Sequence, residues 1–141
     1  MIRIFVILLI FLAQPGGAED LRVPQEVLQA NREFYRAFRE SDLPAMEALW
    51  AVGLPVAVQH PSTGLITGRA NVLASWRAMM RAPPDIRCEI EAVMHGDGKW
   101  GIICLELLNP GSVRMINVFD QENGVWKMTF HGPAPHQDRT S

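Results

Sequence analysis

Apolar residues recur at helical spacing in three segments of the first half of the chain. Residues 24–40, 43–50 and 69–81 each place their apolar side chains on one face, which predicts three helices, the last capped by Thr67. Alternation of apolar and polar side chains between residues 53 and 60 predicts one short strand. The helices are therefore expected to precede most of the sheet.

After residue 84 the apolar period changes to two. Four strands are predicted, over residues 85–95, 99–108, 112–120 and 125–131. Glycine and asparagine between them favour hairpin turns, because these residues accept the positive φ of tight turns. Helices followed by an antiparallel meander predict an α+β fold.

The strand register follows from the requirement that apolar side chains share one face of the sheet. We expect a three-residue first loop with Met94 opposite Trp100, and Glu106 opposite Met115 in the second hairpin. Glu106 and Asn117 are then the only polar members of an apolar face that the helices cover, and they are diagonal neighbours. Burial would raise the pKa of such a carboxyl.

The opposite face of the predicted sheet has an apolar middle inside a charged border. A patch of this kind usually meets a partner, so we expect a symmetric homodimer through the back of the sheet. The residues assigned to this interface are Ile103, Leu105, Ile116 and Val118, with His131 at its border.

Composition excludes several classes of protein. The chain has 141 residues, 48% of them hydrophobic and 20% charged, as in one ordinary globular domain. Its net charge is −2 without a basic cluster, so no nucleic-acid footprint is present. The two cysteines, Cys88 and Cys104, exclude a disulfide-dense scaffold, and their diagonal placement favours two buried free thiols over a bridge.

The N-terminal segment is typical of a secretory signal peptide. Arg3 precedes ten residues without a polar side chain, and small residues suit a cut after Ala18. We expect residues 1–18 to be removed and residues 19–141 to form a single domain, secreted or periplasmic, with no membrane attachment after cleavage. The periplasm assumes a Gram-negative source.

Several short motifs together resemble one known family. The stretches that carry the resemblance are residues 31–38, 42–50, 60–61, 67–69, 72–76, 117–119, 124–126 and 131–132. Their order and spacing, over about residues 26–135, resemble the SnoaL-like group within the cone-shaped fold of nuclear transport factor 2.

The resemblance implies a strongly curved sheet around a helix-capped cavity, often dimeric, with no fixed metal or nucleotide. Enzymes of the family usually carry an acidic or histidine acid–base group inside the cone, a role that Glu106 would fill here. The family also contains many non-catalytic binding and assembly domains.

The polar candidates each have a functional and a structural interpretation. Glu106 and His60 are candidate catalytic residues, and Asn117 is a candidate ligand contact or oxyanion donor. The structural interpretations are a Glu106 paired with an arginine such as Arg32 or Arg77, a buried structural amide at Asn117 and a structural imidazole at His60.

Four aromatic side chains are assigned to the cavity wall, although core packing also explains them: Trp50, Trp76, Trp100 and Phe119. The four histidines show no metal-ligand spacing, so no metal is expected. No phosphate loop or dinucleotide motif is present, so no other cofactor is expected either. The leading hypothesis is an exported, dimeric domain that binds a small apolar molecule. The alternatives are a cofactor-independent acid–base enzyme using Glu106 and a non-catalytic accessory dimer.

Overall fold

The computed structural model describes residues 22–136, so the predicted signal peptide lies outside the described residues. The helices are α1 (Gln25–Arg39), α2 (Leu43–Leu49) and α3 (Arg69–Met79). The strands are β1 (Ala57–Val58), β2 (Ile66–Thr67), β3 (Arg87–Gly96), β4 (Lys99–Leu107), β5 (Ser112–Glu122) and β6 (Val125–Pro133). They form one sheet in the order β2-β1-β6-β5-β4-β3, with only β1 and β6 parallel among the described strands. The α+β class, with helices packed on a mainly antiparallel sheet, is confirmed.

Helix α1 covers the inner face of the sheet, and its buried positions follow helical spacing. Val27, Asn31, Phe34 and Phe38 are all buried along it. The ring centroids of Phe34 and Phe38 each lie 5.2 Å from that of Trp76, which joins α1 to α3. No helix within residues 22–136 is long and apolar enough to cross a membrane.

The segment before α3 differs from the prediction. Thr67 belongs to β2, where it pairs with Ala57, and does not cap the helix. Gly68 occupies the N-cap position at φ 85°, a backbone conformation that glycine adopts without steric cost. The sequence did not predict β2, because its two residues show no alternation of apolar and polar side chains that extends beyond them.

The first hairpin corrects the predicted three-residue loop. Gly96 pairs with Lys99, so the loop is the two residues Asp97 and Gly98, both at positive φ, and His95 rather than Met94 lies opposite Trp100. A β-bulge at Glu91 absorbs the one-residue difference, because the register shifts between Ile90 and Ala92. The expected pairing of β3 with β4 is therefore correct for residues 87–90 and wrong by one residue for residues 92–96.

The second hairpin is displaced by two residues from the prediction. Glu106 lies opposite Val113, and Asn117 lies opposite Ile102. A shift of two residues keeps every side chain on its predicted face but separates the two polar residues along the sheet. Glu106 and Asn117 are not diagonal neighbours.

A second bulge reorients the end of β6. Phe119 pairs with Met128 but Val118 pairs with Phe130, which leaves Thr129 as the extra residue. Beyond it, His131 pairs with Asn117 and turns to the inner face. The predicted outer-face position of His131 is wrong, since its side chain is buried inside the domain.

The two cysteines form a disulfide, which corrects the expectation of free thiols. Cys88 and Cys104 are diagonal, as predicted, but their Cα atoms are only 5.3 Å apart, well within bridging range. The bulge at Glu91 adds local twist to this strand pair. Twist shortens the diagonal distance between Cys88 and Cys104. The bridge fastens the edge strand β3 to β4.

Gly132 provides a test of the β6 geometry beyond the bulge. A Cβ atom at Gly132 would overlap the ring of Phe130, whereas one at Gly96 would meet nothing within 4 Å. We expect Gly132→Ala to lower the free energy of unfolding in urea by about 1–2 kcal/mol through overpacking. The control Gly96→Ala should stay within about 0.5 kcal/mol of the parent. Equal effects of the two changes would contradict the described path of β6.

Candidate functional site

A cavity of about 200 Å³ lies between α1, α3 and the inner face of the sheet. Its walls are mostly apolar, and they include Phe34, Phe38, Trp76, Ile86, Leu108 and Val113. Three polar residues, Glu106, His60 and His131, also line it. An apolar cavity with a few convergent polar groups is the usual form of a small-molecule site.

The Glu106 carboxyl is the acidic group of this cavity. Strand β4 directs it inward, where only 3% of the residue is exposed. Burial raises its pKa to about 7, against the opposing effect of a hydrogen bond from the Tyr35 hydroxyl at 2.8 Å. Near neutral pH this carboxyl therefore exists in both protonation states.

A chain of hydrogen bonds fixes the direction of the Tyr35 proton. The Asn117 Nδ2 amide donates to the Tyr35 oxygen at 3.2 Å and to Asn31 Oδ1 at 2.8 Å. The Tyr35 hydroxyl has one proton, which it donates to Glu106 Oε1. Burial and the adjacent carboxylate both raise the pKa of Tyr35, so it remains a donor. The two asparagines thus position Tyr35, and Tyr35 positions Glu106.

The tautomer of His131 follows from the same chain. Its Nδ1 is 2.6 Å from Asn117 Oδ1, and an amide oxygen only accepts, so the ring proton lies on Nδ1. The unprotonated Nε2 then faces Glu106 Oε1 at 3.9 Å. Burial, and secondarily the charge of His60, lower the pKa of His131 to about 3, so the ring is neutral and this contact is not an ion pair.

His60 lies on the opposite wall of the cavity. Its Nε2 is 3.0 Å from Ser75 Oγ, whose own proton is donated to the Val72 carbonyl at 2.7 Å. His60 therefore carries its proton on Nε2, and its edge packs against Trp76 at 4.6 Å between ring centroids. Burial lowers its pKa. The hydrogen bond to Ser75 and the packing against Trp76 fix the position of the His60 ring.

The other residues assigned to the cavity separate into two groups. Trp76 lines the cavity, but Trp50, Trp100 and Phe119 pack in the core and do not reach it. Asn117 is fully buried, donates to Tyr35 and does not line the cavity. Its position supports the structural interpretation of a buried amide.

Sequence reasoning missed Tyr35 and the inward turn of His131. Tyr35 lies one helical turn after Asn31 on the buried side of α1, so its spacing carried a usable signal. His131 carried none, because the bulge at Thr129 reverses its orientation without altering the residue pattern. Arg32 and Arg77 do not pair with Glu106; Arg77 pairs with Glu47 at 2.7 Å.

The predicted outer patch is smaller than expected. Ile103 and Ile116 are buried within the chain itself, while Leu105 and Val118 are half-buried. Within residues 22–136, no group of three or more histidine, cysteine, aspartate or glutamate side chains is placed to hold a metal ion.

Comparison with known proteins agrees with the fold and with the resemblance seen in the sequence. The family model of the SnoaL-like domain matches residues 27–133. Among curated proteins, F-box protein SKIP8 of Arabidopsis thaliana is 27% identical over 120 residues, which cover 82% of this chain and 52% of that protein. The chain thus spans about half the length of this relative.

Solved structures with the same architecture include three informative neighbours. A putative calcium/calmodulin-dependent protein kinase type II association domain from Thiobacillus denitrificans is 27% identical, with a TM-score of 0.61 over 75% of this chain and 93% of that one. A putative dehydratase of the NTF2-like family from Streptomyces avermitilis is 22% identical, with a TM-score of 0.63 over 79% and 96%. A ketosteroid isomerase-like protein from Erwinia carotovora atroseptica is 14% identical, with a TM-score of 0.64 over 77% and 92%. The last two similarities concern the fold alone.

The raised pKa of Glu106 predicts a specific pH dependence of stability. Because the pKa is about 7 in the folded chain and 4.5 in water, the unfolded chain releases this proton first as the pH rises. The contribution of Glu106 to the free energy of unfolding should therefore fall by roughly 3 kcal/mol between about pH 4 and pH 8. His131, whose pKa is lowered, contributes with the opposite sign over part of this range, so the stability difference between the parent and Glu106→Gln isolates the Glu106 effect. Urea unfolding across this range measures the difference.

Glu89→Gln, at an exposed position of β3, is the matched control for this experiment. It removes one carboxyl outside the cavity and so controls for the loss of a glutamate from the chain. Parallel pH profiles for the parent and Glu106→Gln would contradict the desolvated state of Glu106.

Proposed function

The chain belongs to the SnoaL-like domain family, and from this premise we propose that it binds a small, largely apolar molecule in the cavity around Glu106. The observation that carries the proposal is a carboxyl with a pKa of about 7 at the wall of an otherwise apolar cavity. A desolvated carboxyl is costly to a fold, so its presence at a cavity wall favours a functional role.

The hydrogen bonds at Glu106 define the polar group that the ligand should carry. Oε1 accepts the Tyr35 proton, and within residues 22–136 no hydrogen bond reaches Oε2. A ligand hydroxyl or N–H would donate to Oε2 of the ionised carboxylate. The rest of the molecule would pack against the rings of Phe34, Phe38 and Trp76. An aromatic molecule of one or two rings with a single donor fits this description.

Binding of 2-naphthol, measured by calorimetry, tests this site. Val113 lines the cavity, so Val113→Phe should fill it and weaken binding by at least about tenfold. The control Val125→Phe changes an exposed valine outside the cavity and should leave the affinity unchanged. Equal affinities of the two variants would place the ligand elsewhere, and absence of binding to the parent would favour the accessory interpretation.

A second candidate function, acid–base catalysis, is favoured by a carboxyl at the cavity wall whose pKa lies near neutral pH. A carboxylate with a pKa near 7 suits proton abstraction at neutral pH, and the neutral His131 Nε2 lies 3.9 Å from it. Glu106 would take a proton from a weakly acidic C–H of the bound molecule and return it to another atom or to the same one. Tyr35 would hold the carboxyl in position throughout.

Deuterium exchange at the α-carbon of 2-tetralone, followed by NMR, distinguishes catalysis from binding. For an enzyme, the rate should rise with pH around 7, and Glu106→Gln should lower it by about 100-fold or more. The same variant should keep its 2-naphthol affinity at low pH to within about threefold, because the parent carboxyl is then neutral as well. Exchange that survives in Glu106→Gln excludes this role for Glu106.

We also propose that the domain is exported and forms a dimer through the outer face of the sheet. The Cys88–Cys104 disulfide supports an oxidising compartment, and half-buried Leu105 and Val118 leave apolar surface outside the core. A native mass spectrum of the exported fraction should then give a dimer whose chains begin at Glu19. Val118→Glu should give monomers and Val125→Glu should not. A monomeric parent, or a chain that retains residues 1–18, contradicts the corresponding half of the proposal.

A further inference from the structure

A groove of about 640 Å³ runs along the outside of α1, between this helix and the edge strand β3. It is separate from the Glu106 cavity, and the two share no lining residue. The groove is open to solvent and contains four arginines, Arg32, Arg36, Arg39 and Arg87. Cys88 of the disulfide also forms part of its wall.

The two sulfur atoms of the bridge differ in their access to this groove. Cys88 is partly exposed and lines the groove, whereas Cys104 is fully buried and does not. A thiolate attacks the disulfide sulfur that it can reach, and the other sulfur leaves. Attack from the groove would therefore occur at Cys88 Sγ and release Cys104.

The amide of Asn31 is placed to assist the departure of Cys104. Its Nδ2 lies 3.6 Å from Cys104 Sγ and 3.7 Å from Cys88 Sγ, and Asn117 fixes its orientation by donating to Oδ1 at 2.8 Å. An N–H directed at a sulfur stabilises the thiolate more than the neutral bridge, since hydrogen bonds to ionised acceptors are stronger. The buried sulfur thus has a fixed donor for the charge that it acquires.

The charges of the groove favour an anion. Arg36 pairs with three carboxylates, Glu33, Glu40 and Asp42, which outweigh its charge, and only Glu33 of the three lines the groove. Arg39 uses one guanidinium nitrogen on the Ile86 carbonyl and keeps its charge. The groove wall holds the four arginines against two carboxylates, Glu33 and Glu89, and its excess positive charge lies on Arg32, Arg39 and Arg87. Exposed Asp85 contacts Arg87 at 4.0 Å.

We propose that Cys88 is a thiol–disulfide exchange site for a small thiol that carries a carboxylate. The incoming thiolate forms a bond to Cys88 Sγ as the Cys88–Cys104 bond breaks, and the electron pair of that bond stays on Cys104. The product is a mixed disulfide at Cys88 and a Cys104 thiolate beside Asn31. Cys104 then takes a proton from solvent, or it attacks Cys88 again and expels the thiol. This reaction is independent of any ligand in the Glu106 cavity.

Three small thiols that differ in charge test the proposal on the full chain. They are 3-mercaptopropionate, 2-mercaptoethanol and cysteamine, which are anionic, neutral and cationic. Samples are quenched in acid, and peptide mass spectrometry then locates the mixed disulfide. Each rate constant is divided by that of the same reagent with a small neutral disulfide, which corrects both for the thiolate fraction and for the lower nucleophilicity of less basic thiolates.

The adduct should lie on Cys88, and the anionic thiol should react about fivefold faster than the neutral one at low ionic strength. The cationic thiol should be slowest, and molar salt should remove the differences. An adduct on Cys104, equal rates for the three reagents, or a bridge that opens only when the chain unfolds would overturn the proposal.

Substitutions in the groove connect the charge preference to the arginines. The double variant Arg32→Gln/Arg87→Gln should reduce the anionic preference to about twofold or less and leave the rate with 2-mercaptoethanol unchanged. Arg77→Gln, which removes a surface arginine outside the groove, should keep the full preference. An unchanged preference in the double variant would contradict recognition by these residues. Because 2-naphthol binding is measured separately, failure here leaves the cavity proposal unaffected.

Discussion

The hydrogen bond from Tyr35 to Glu106 is the interaction on which the interior of this domain depends. A carboxyl buried among aromatic rings loses its hydration, and one strong donor compensates only part of that loss. Tyr35 can serve as this donor because Asn117 supplies a proton to its oxygen, which leaves the hydroxyl proton for Glu106. The same Asn117 amide donates to Asn31 and accepts from His131, which fixes the orientation of both side chains. One buried amide therefore sets the direction of four hydrogen bonds.

The curvature of the sheet places these groups together. The bulge at Thr129 turns His131 to the inner face beside Asn117, and the bulge at Glu91 lets β3 follow the twist of β4. Without the extra residue in β6, the His131 ring would point outward, and His60 on the opposite wall would be the remaining imidazole among the described residues of the cavity. Each bulge costs an unpaired position in the ladder. The bend that the bulges allow leaves room for the Glu106 cavity between the sheet and the helices.

The sequence was sufficient for the helices, for most strands and for the face that Glu106 occupies. These features follow from local periodicity, and a slip of two residues in the second hairpin did not disturb them. The sequence was insufficient where one extra residue in a strand turns the following side chains to the other face of the sheet, as it does for Met94 and His131. A bulge leaves the pattern of apolar and polar residues almost unaltered. The Cys88–Cys104 bridge was missed for the same reason, because the distance across a diagonal depends on twist. Tyr35 was missed although its spacing from Asn31 was visible, because its partner lies 71 residues away.

The most direct test of this account is the titration of the Glu106 carboxyl itself, followed by carbon-13 NMR with labelled glutamate. Glu106→Gln identifies the resonance by its disappearance. The account predicts a pKa of about 7 for this group, raised by its burial among apolar side chains. A pKa at or below the usual 4.5 would mean that the carboxyl is solvated or paired with a cation, and the cavity described above would then not exist in solution.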